Sequence, residues 1–107
     1  MKQIAILGAG GMGTALAMLF STSSHGVSLW ARDPARADDL ERTRENRRHL
    51  PGVSIPDEVS ITHDVSEAIE KADLIVAAIP SSFLRSTLSA VAERIPRDVP
   101  VLSVVKL

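Results

Sequence analysis

The 107 residues suffice for one domain with its own core, and a formal net charge of −1 excludes the bulk attraction that draws basic chains to nucleic acid or anionic membranes. Hydrophobic residues at 45% and charged residues at 23% are ordinary for a soluble globular protein. The absence of cysteine excludes a disulfide framework, a thiol nucleophile and a cysteine metal site.

No apolar run approaches the length of a membrane span, the longest being residues 15–20 and 74–79. The apolar residues after Met1-Lys2-Gln3 are too few for a signal-peptide core. A cytoplasmic location is expected, with no membrane partner. The aromatic residues are Phe20, Trp30 and Phe83, too few for stacking platforms on single-stranded nucleic acid.

Residues 3–7 form a near-continuous apolar run, as a central parallel strand buried on both faces should. The run enters Gly8-Ala9-Gly10-Gly11-Met12-Gly13 and then a helix expected over residues 11–21. Gly8, Gly10 and Gly13 fit G-x-G-x-x-G. In that pattern the first glycine allows the tight turn, the second lets backbone approach a pyrophosphate and the third lets the helix pack close to the strand. The free N–H groups and dipole of the helix N-terminus suit the same phosphates. The alternative is a glycine turn that serves only strand–helix packing. Ala15, Leu16, Leu19 and Phe20 are expected on the buried side of this helix, with Ala17 small enough for close approach.

Ser21 to Gly26 breaks the helix, and residues 27–30 read as a second strand ending at Ala31-Arg32-Asp33-Pro34. In this topology that end lies beside the adenosine ribose, where an acidic side chain about twenty residues past the glycines grips the 2′-hydroxyl of NAD and an arginine accommodates the 2′-phosphate of NADP. Both residue types are present. Asp33 before Pro34 reads as the N-cap and first position of the next helix, which leaves Arg32 to turn over the adenosine. NADPH is favoured and NADH stays open, as does Arg32 as a solvated loop charge.

Residues 34–44 read as a charged helix. Arg42, Arg44, Arg47 and Arg48 alternate with Asp38, Asp39, Glu41 and Glu45, the mixture of a solvated face and not of a nucleic-acid patch. Residues 50–56, stiffened by Pro51 and Pro56, are expected to be an irregular connection. Residues 59–62 alternate and suit a third strand nearer a sheet edge, and Asp64 caps a short helix over 65–71.

Residues 74–79 are the fourth strand, another continuous apolar run. Its end, Pro80-Ser81-Ser82, is expected across the switch point from the glycine turn, near the nicotinamide half of a cofactor. Ser81 or Ser82 equally suits a cap for a helix over 83–94, whose stripe is Leu84, Leu88, Val91, Ala92 and Ile95. Residues 99–105 are the fifth strand, interrupted by Pro100. His25, His49 and His63 are scattered without matched carboxylates or metal-ligand spacing, so each reads as structural or solvated and no metal site is expected. The fold class is α/β, a Rossmann-type doubly wound parallel sheet forming a single three-layer domain over residues 1–107.

Beyond the glycine turn, the chain carries Leu29-Trp30-Ala31-Arg32-Asp33, Asn46-Arg47-Arg48-His49-Leu50-Pro51-Gly52 with Ile55-Pro56 after it, Ala72-Asp73-Leu74-Ile75 through Pro80-Ser81, and Ser103-Val104-Val105-Lys106. With these it resembles, over essentially its whole length, the N-terminal domain of the bacterial NAD(P)-dependent glycerol-3-phosphate dehydrogenases. The Asn-to-Leu-Pro-Gly element and the terminal Ser-x-x-Lys are its most selective features. The resemblance implies an oxidoreductase that reduces dihydroxyacetone phosphate to sn-glycerol 3-phosphate for phospholipid biosynthesis. It also implies cofactor contacts at Gly11, Met12 and Arg32, and a Lys106 that touches both cofactor and substrate.

The chain departs from the family pattern at Gly11 and Met12, where serine and an aromatic residue are common, at His49, where an aromatic is common, and at Leu107, where glycine is common. The first departure removes a hydroxyl near the pyrophosphate. The family's proton-donating lysine and most of its substrate-phosphate site lie in a helical C-terminal domain that these residues do not include. The chain therefore reads as a fragment that binds cofactor through Gly8, Gly10, Gly11, Met12, Gly13, Arg32, Pro80 and Lys106, with no catalytic residue of its own. A stand-alone module that binds or senses NAD(P)H without chemistry is the alternative. Apolar surface left open on such a piece is expected to drive homo-oligomers.

Overall fold

A computed structural model describes residues 2–104, with Ser81 described by its backbone alone. In chain order the elements are β1 (Gln3–Leu7), α1 (Gly11–Thr22), β2 (Gly26–Trp30), α2 (Pro34–Thr43), β3 (Glu45–Asn46), β4 (Leu50–Ser54), β5 (Val59–Thr62), α3 (Val65–Ile69), β6 (Leu74–Ala77), α4 (Ser81–Val91) and β7 (Val101–Ser103). Five of the strands form one sheet in the order β5-β2-β1-β6-β7, and each neighbouring pair is parallel. The continuous apolar runs β1 and β6 lie inside the sheet, and the alternating β5 lies at its edge, as their patterns predict.

Side chains of a strand point alternately to the two faces, so β1 feeds two cores. Ile4 and Ile6 join Val27, Leu29, Val59 and Val76 beneath Ala17 of α1 and Ala37 and Leu40 of α2. Ala5 and Leu7 join Trp30, Ile75, and Ala68 and Ile69 of α3, with Leu84 and Leu88 of α4 packed against them. Fully burying one such aliphatic side chain contributes about 1.5–3 kcal/mol, which makes the central strands the most firmly held part of the sheet.

Asp33 caps α2 as expected, its Oδ1 accepting the Ala35 N–H at 3.1 Å with Pro34 in the first helical position. Asp64 does the same for α3, accepting the N–H groups of Ser66 and Glu67. Four expectations need correction. First, α1 meets the sheet through Gly13, Thr14 and Ala17, with Leu16 and Phe20 partly buried; Leu19 is 59% exposed and Ala15 faces solvent. The helix lies too close to β1 for large side chains at the contact, so its buried face turns onto small residues.

Second, residues 50–54 are not irregular, and only Ile55 and Pro56 of the expected connection lie outside a strand: β4 pairs antiparallel with β3, Asn46 opposite Leu50 and Glu45 opposite Ser54. Pro51 is tolerated because a two-stranded ribbon leaves one side of each strand without a ladder. Third, Arg44 is not part of a solvated face. It ends α2 in a left-handed conformation (φ 58°), and its Nη1 donates to the carbonyls of Pro56 (3.1 Å) and Val59 (2.7 Å). Fourth, α3 stops at Ile69, α4 begins at Ser81 and gives way to a 3-10 turn over Ala92–Arg94, and β7 is shorter than the strand expected over 99–105.

Candidate functional site

The register pairs Leu7 with both Trp30 and Ala77, so β1, β2 and β6 end at one level. Their carboxyl ends open onto a cleft of about 750 Å³. Gly8, Gly10, Gly11 and Met12 line it from the turn, Arg32 and Asp33 from the end of β2, and Pro80 and Phe83 from the start of α4.

Two glycines of the turn are required by geometry. Gly8 has φ of +117°, and a Cβ there would collide with the carbonyl of Ala78. A Cβ on Gly13 would collide with the carbonyl oxygen of Gly8, so Gly13 sets the close approach of α1 to the turn. Gly13 is buried beneath the turn and is not part of the cleft lining. Gly10 borders open space: a Cβ there would meet no atom within 4 Å.

The helical ladder of α1 begins with the Thr14 N–H donating to the Gly10 carbonyl at 3.0 Å. The N–H groups of Gly10, Gly11, Met12 and Gly13 have no partner among the described residues, and no side chain caps this helix. Unpaired donors at a helix N-terminus, beside open space over a glycine, form a cradle that fits an anionic group such as a pyrophosphate. Around it Arg32 is exposed, with its guanidinium carbon 5.8 Å from the centroid of the half-exposed Phe83 ring. The Asp33 carboxylate is engaged at the start of α2.

Behind the turn lies a polar network that the sequence does not announce. The Ala9 carbonyl accepts from Asn46 Nδ2 and from Arg36 Nη2, both at 2.9 Å. Arg36 Nη2 also donates to Asn46 Oδ1 (2.9 Å), and Asn46 Nδ2 to Thr14 Oγ1 (2.8 Å). Asn46 is 1% exposed, and its Oδ1 further accepts the His49 N–H at 3.3 Å. This contact brings His49 over Gly11 and into the cleft wall. Burial first, and then the Arg48 charge, lower the Arg36 pKa against the opposing pull of Asp39 and Asp33; the guanidinium stays a cation. Burial, followed by the charges of Arg36 and Arg48, holds His49 below its ordinary value.

Of the residues singled out by the sequence, Gly8, Gly10, Gly11, Met12, Arg32 and Pro80 converge on the cleft, while Lys106 lies outside the described residues. Pro80, not a serine, occupies the N-cap position of α4, and Ser82 lies inside the helix. Lys71 lines a separate small pocket with Gln3 and Glu70, at the opposite end of the strands. Trp30 borders the cleft, its indole N–H donating to the His63 carbonyl at 2.9 Å. Arg36, Asn46, His49 and Phe83 belong to the site region and escape sequence reading; the only signal was the Asn46-to-Gly52 element, whose role a motif alone does not reveal. Among the described residues no group of three or more His, Cys, Asp or Glu side chains could hold a metal ion. No helix among them is long and apolar enough to cross a membrane.

The chain matches the family described as NAD-dependent glycerol-3-phosphate dehydrogenase N-terminus over residues 3–106. It is 40% identical over 106 residues to a glycerol-3-phosphate dehydrogenase [NAD(P)+] of Corynebacterium glutamicum, covering 99% of this chain and 32% of that protein. It is 48% identical over 87 residues to the protein of the same name from Thermus thermophilus, covering 81% of this chain and 27% of that one. Among solved structures, glycerol-3-phosphate dehydrogenase from Coxiella burnetii superposes with a TM-score of 0.92 at 27% identity, over 98% of this chain and 32% of its own. The chain thus spans about a third of the length of the relatives it matches.

Proposed function

Since the chain belongs to the family of NAD-dependent glycerol-3-phosphate dehydrogenase N-termini, we propose that its cleft holds a nicotinamide dinucleotide, NADPH in preference to NADH. The observation that carries this reading is the row of unpaired N–H groups from Gly10 to Gly13, with open space over Gly10 and the Arg32 guanidinium at the adjoining strand end. In it, Gly10, Gly11 and Met12 donate backbone N–H groups to the pyrophosphate, and the Arg32 guanidinium pairs with the 2′-phosphate. The preference rests on Arg32 alone: Asp33, whose Oδ1 caps α2, also lines the cleft and keeps its second oxygen for a ribose 2′-hydroxyl, the contact through which NADH would bind. Pro80 borders the nicotinamide end, and Lys106 contacts cofactor and substrate.

When bound, the dinucleotide supplies the reducing equivalent for a carbonyl. In the longer protein the substrate would be dihydroxyacetone phosphate, yielding sn-glycerol 3-phosphate for phospholipid biosynthesis in the cytoplasm. This chain's share is to bind and orient the cofactor. We infer that the chain alone binds without turning over, since the proton-donating lysine that the resemblance implies belongs to a C-terminal domain that these residues do not include.

The test is a titration with NADPH and NADH followed by Trp30 fluorescence, beside Arg32→Ala. NADPH is expected to bind about tenfold or more tightly than NADH, as one charge-assisted phosphate contact implies, and Arg32→Ala to erase the difference. Equal affinities in the unaltered chain refute the preference, and no response to either nucleotide refutes the reading.

A further inference from the structure

The network behind the glycine turn has a job beyond filling the core. Ala9 supplies the carbonyl of the Ala9–Gly10 peptide, and in a trans peptide the carbonyl and the following N–H point opposite ways in one plane. The oxygen is pinned on the side of α2 and the β3–β4 hairpin by Arg36 Nη2 and Asn46 Nδ2. That plane turns the Gly10 N–H away from them, toward the cleft that Gly10 borders, where it has no partner among the described residues. No N–H of α1 competes for the oxygen, since the ladder starts one residue later, at Gly10.

Both donors are themselves held. Asn46, fully buried, uses its amide nitrogen on Ala9 and Thr14 and its amide oxygen on Arg36 and the His49 N–H. A cation and an amide that donate to one carbonyl also draw electron density from its peptide, making the N–H at the other end a stronger donor. On the reading that the cleft takes a dinucleotide, we propose that Arg36 and Asn46 are positioning residues for the pyrophosphate: they clamp the Ala9 carbonyl and thereby aim and polarise the Gly10 N–H at a phosphate oxygen. Arg36, which also lines the cleft, acts here through the peptide and needs no phosphate contact of its own.

The experiment follows the Gly10 amide by ¹⁵N NMR in the 107-residue chain, with affinities for NADPH, ADP and adenosine 2′-monophosphate, in the unaltered protein, Arg36→Met and Asn46→Asp. In the unaltered chain NADPH and ADP shift the Gly10 amide. Arg36→Met moves that amide before any nucleotide is added and weakens NADPH and ADP about tenfold. Adenosine 2′-monophosphate, which has no pyrophosphate, binds as before, and the loss persists at high salt, where a through-space charge effect is screened. Asn46→Asp replaces a donor to Ala9 with an acceptor and has the same signature; should burial of that change unfold the chain, the half-buried Arg36 carries the test.

An unmoved Gly10 amide in Arg36→Met, an equal loss for adenosine 2′-monophosphate, or a loss abolished by salt overturns the clamp while leaving the dinucleotide reading intact. An unaltered chain that responds to neither NADPH nor ADP overturns both.

Discussion

The two walls of the cleft are held by different physics. On the side of α2 and the hairpin, polar groups fix it: Asn46, Arg36 and Thr14 interlock around the Ala9 carbonyl, and Arg44 ties the end of α2 to Pro56 and Val59. On the side of α4 and β7, contact is apolar and sparse. Val91 is buried and Leu84, Thr87 and Leu88 half-buried, but the other residues of 82–91 and all of β7 are exposed. Directional bonds that are satisfied at both ends define a single geometry, whereas a lightly buried helix keeps freedom to shift. The first wall is therefore preorganised by the chain itself, and affinity is expected to reside there; the second is the adaptable one.

The largest test of that contrast sets a substitution in α1, which the polar network ties to the first wall through Thr14, against one in α4. Gly13→Val places a side chain against the Gly8 carbonyl, where backbone has to move, and should lower stability by more than about 3 kcal/mol, read as a fall in thermal midpoint. Ala90→Val, on the exposed face of α4, adds a β-branched side chain to solvent and should cost less than about 1 kcal/mol. Equal losses would show that α4 is as firmly packed as α1, and the contrast would fail.

A smaller effect is expected from Phe83→Ala. The ring lies on the adaptable wall and contacts the Arg32 guanidinium, a cation–π interaction worth about 0.5–1 kcal/mol at an exposed site. Removing it should alter NADPH and NADH affinities together by about fivefold or less, with the preference retained, because the phosphate contact belongs to Arg32 and not to the ring. A change in the preference itself, seen in the same Trp30 titration, would mean that Phe83 sets where Arg32 points.

The same division governs what could be read from the sequence. β1 and β6 are apolar runs with local boundaries, and Asp33-Pro34 is a cap whose bonds lie within two residues, so pattern and propensity suffice for them. The glycine turn is legible because Gly8 and Gly13 answer steric demands of nearby backbone, while Gly10 leaves open space at the helix N-terminus. The hairpin was not legible: Pro51 and Pro56 read as breakers, and only the pairing of Asn46 with Leu50 and Glu45 with Ser54 makes strands of these residues. Asn46 itself is polar and fully buried because its partner Ala9 lies 37 residues earlier, a contact no local period encodes. The face of α1 was misread for a related reason, since periodicity finds the large apolar residues while close packing selects Gly13, Thr14 and Ala17.

His49 gives the smallest and most discriminating effect, because it joins the rigid wall to the open cleft. Burial, then Arg36 and Arg48, hold its pKa below the ordinary 6.5. The unfolded chain, lacking those neighbours, takes up a proton first as pH falls. The histidine therefore has no effect on stability well above 6.5, and it subtracts stability as pH falls from there toward its folded pKa. A bound pyrophosphate reverses the local field: an anion beside the ring favours the imidazolium, so binding takes up a proton and tightens over the range in which stability declines. NAD⁺ is the suitable probe, because a 2′-phosphate titrates in the same range. The expected gain is about twofold to threefold between neutral and mildly acidic pH, and His49→Asn should flatten both the affinity and the stability profile. If stability flattens and affinity does not, the imidazole lies beyond reach of the phosphates, and the hairpin acts on the site only through Asn46.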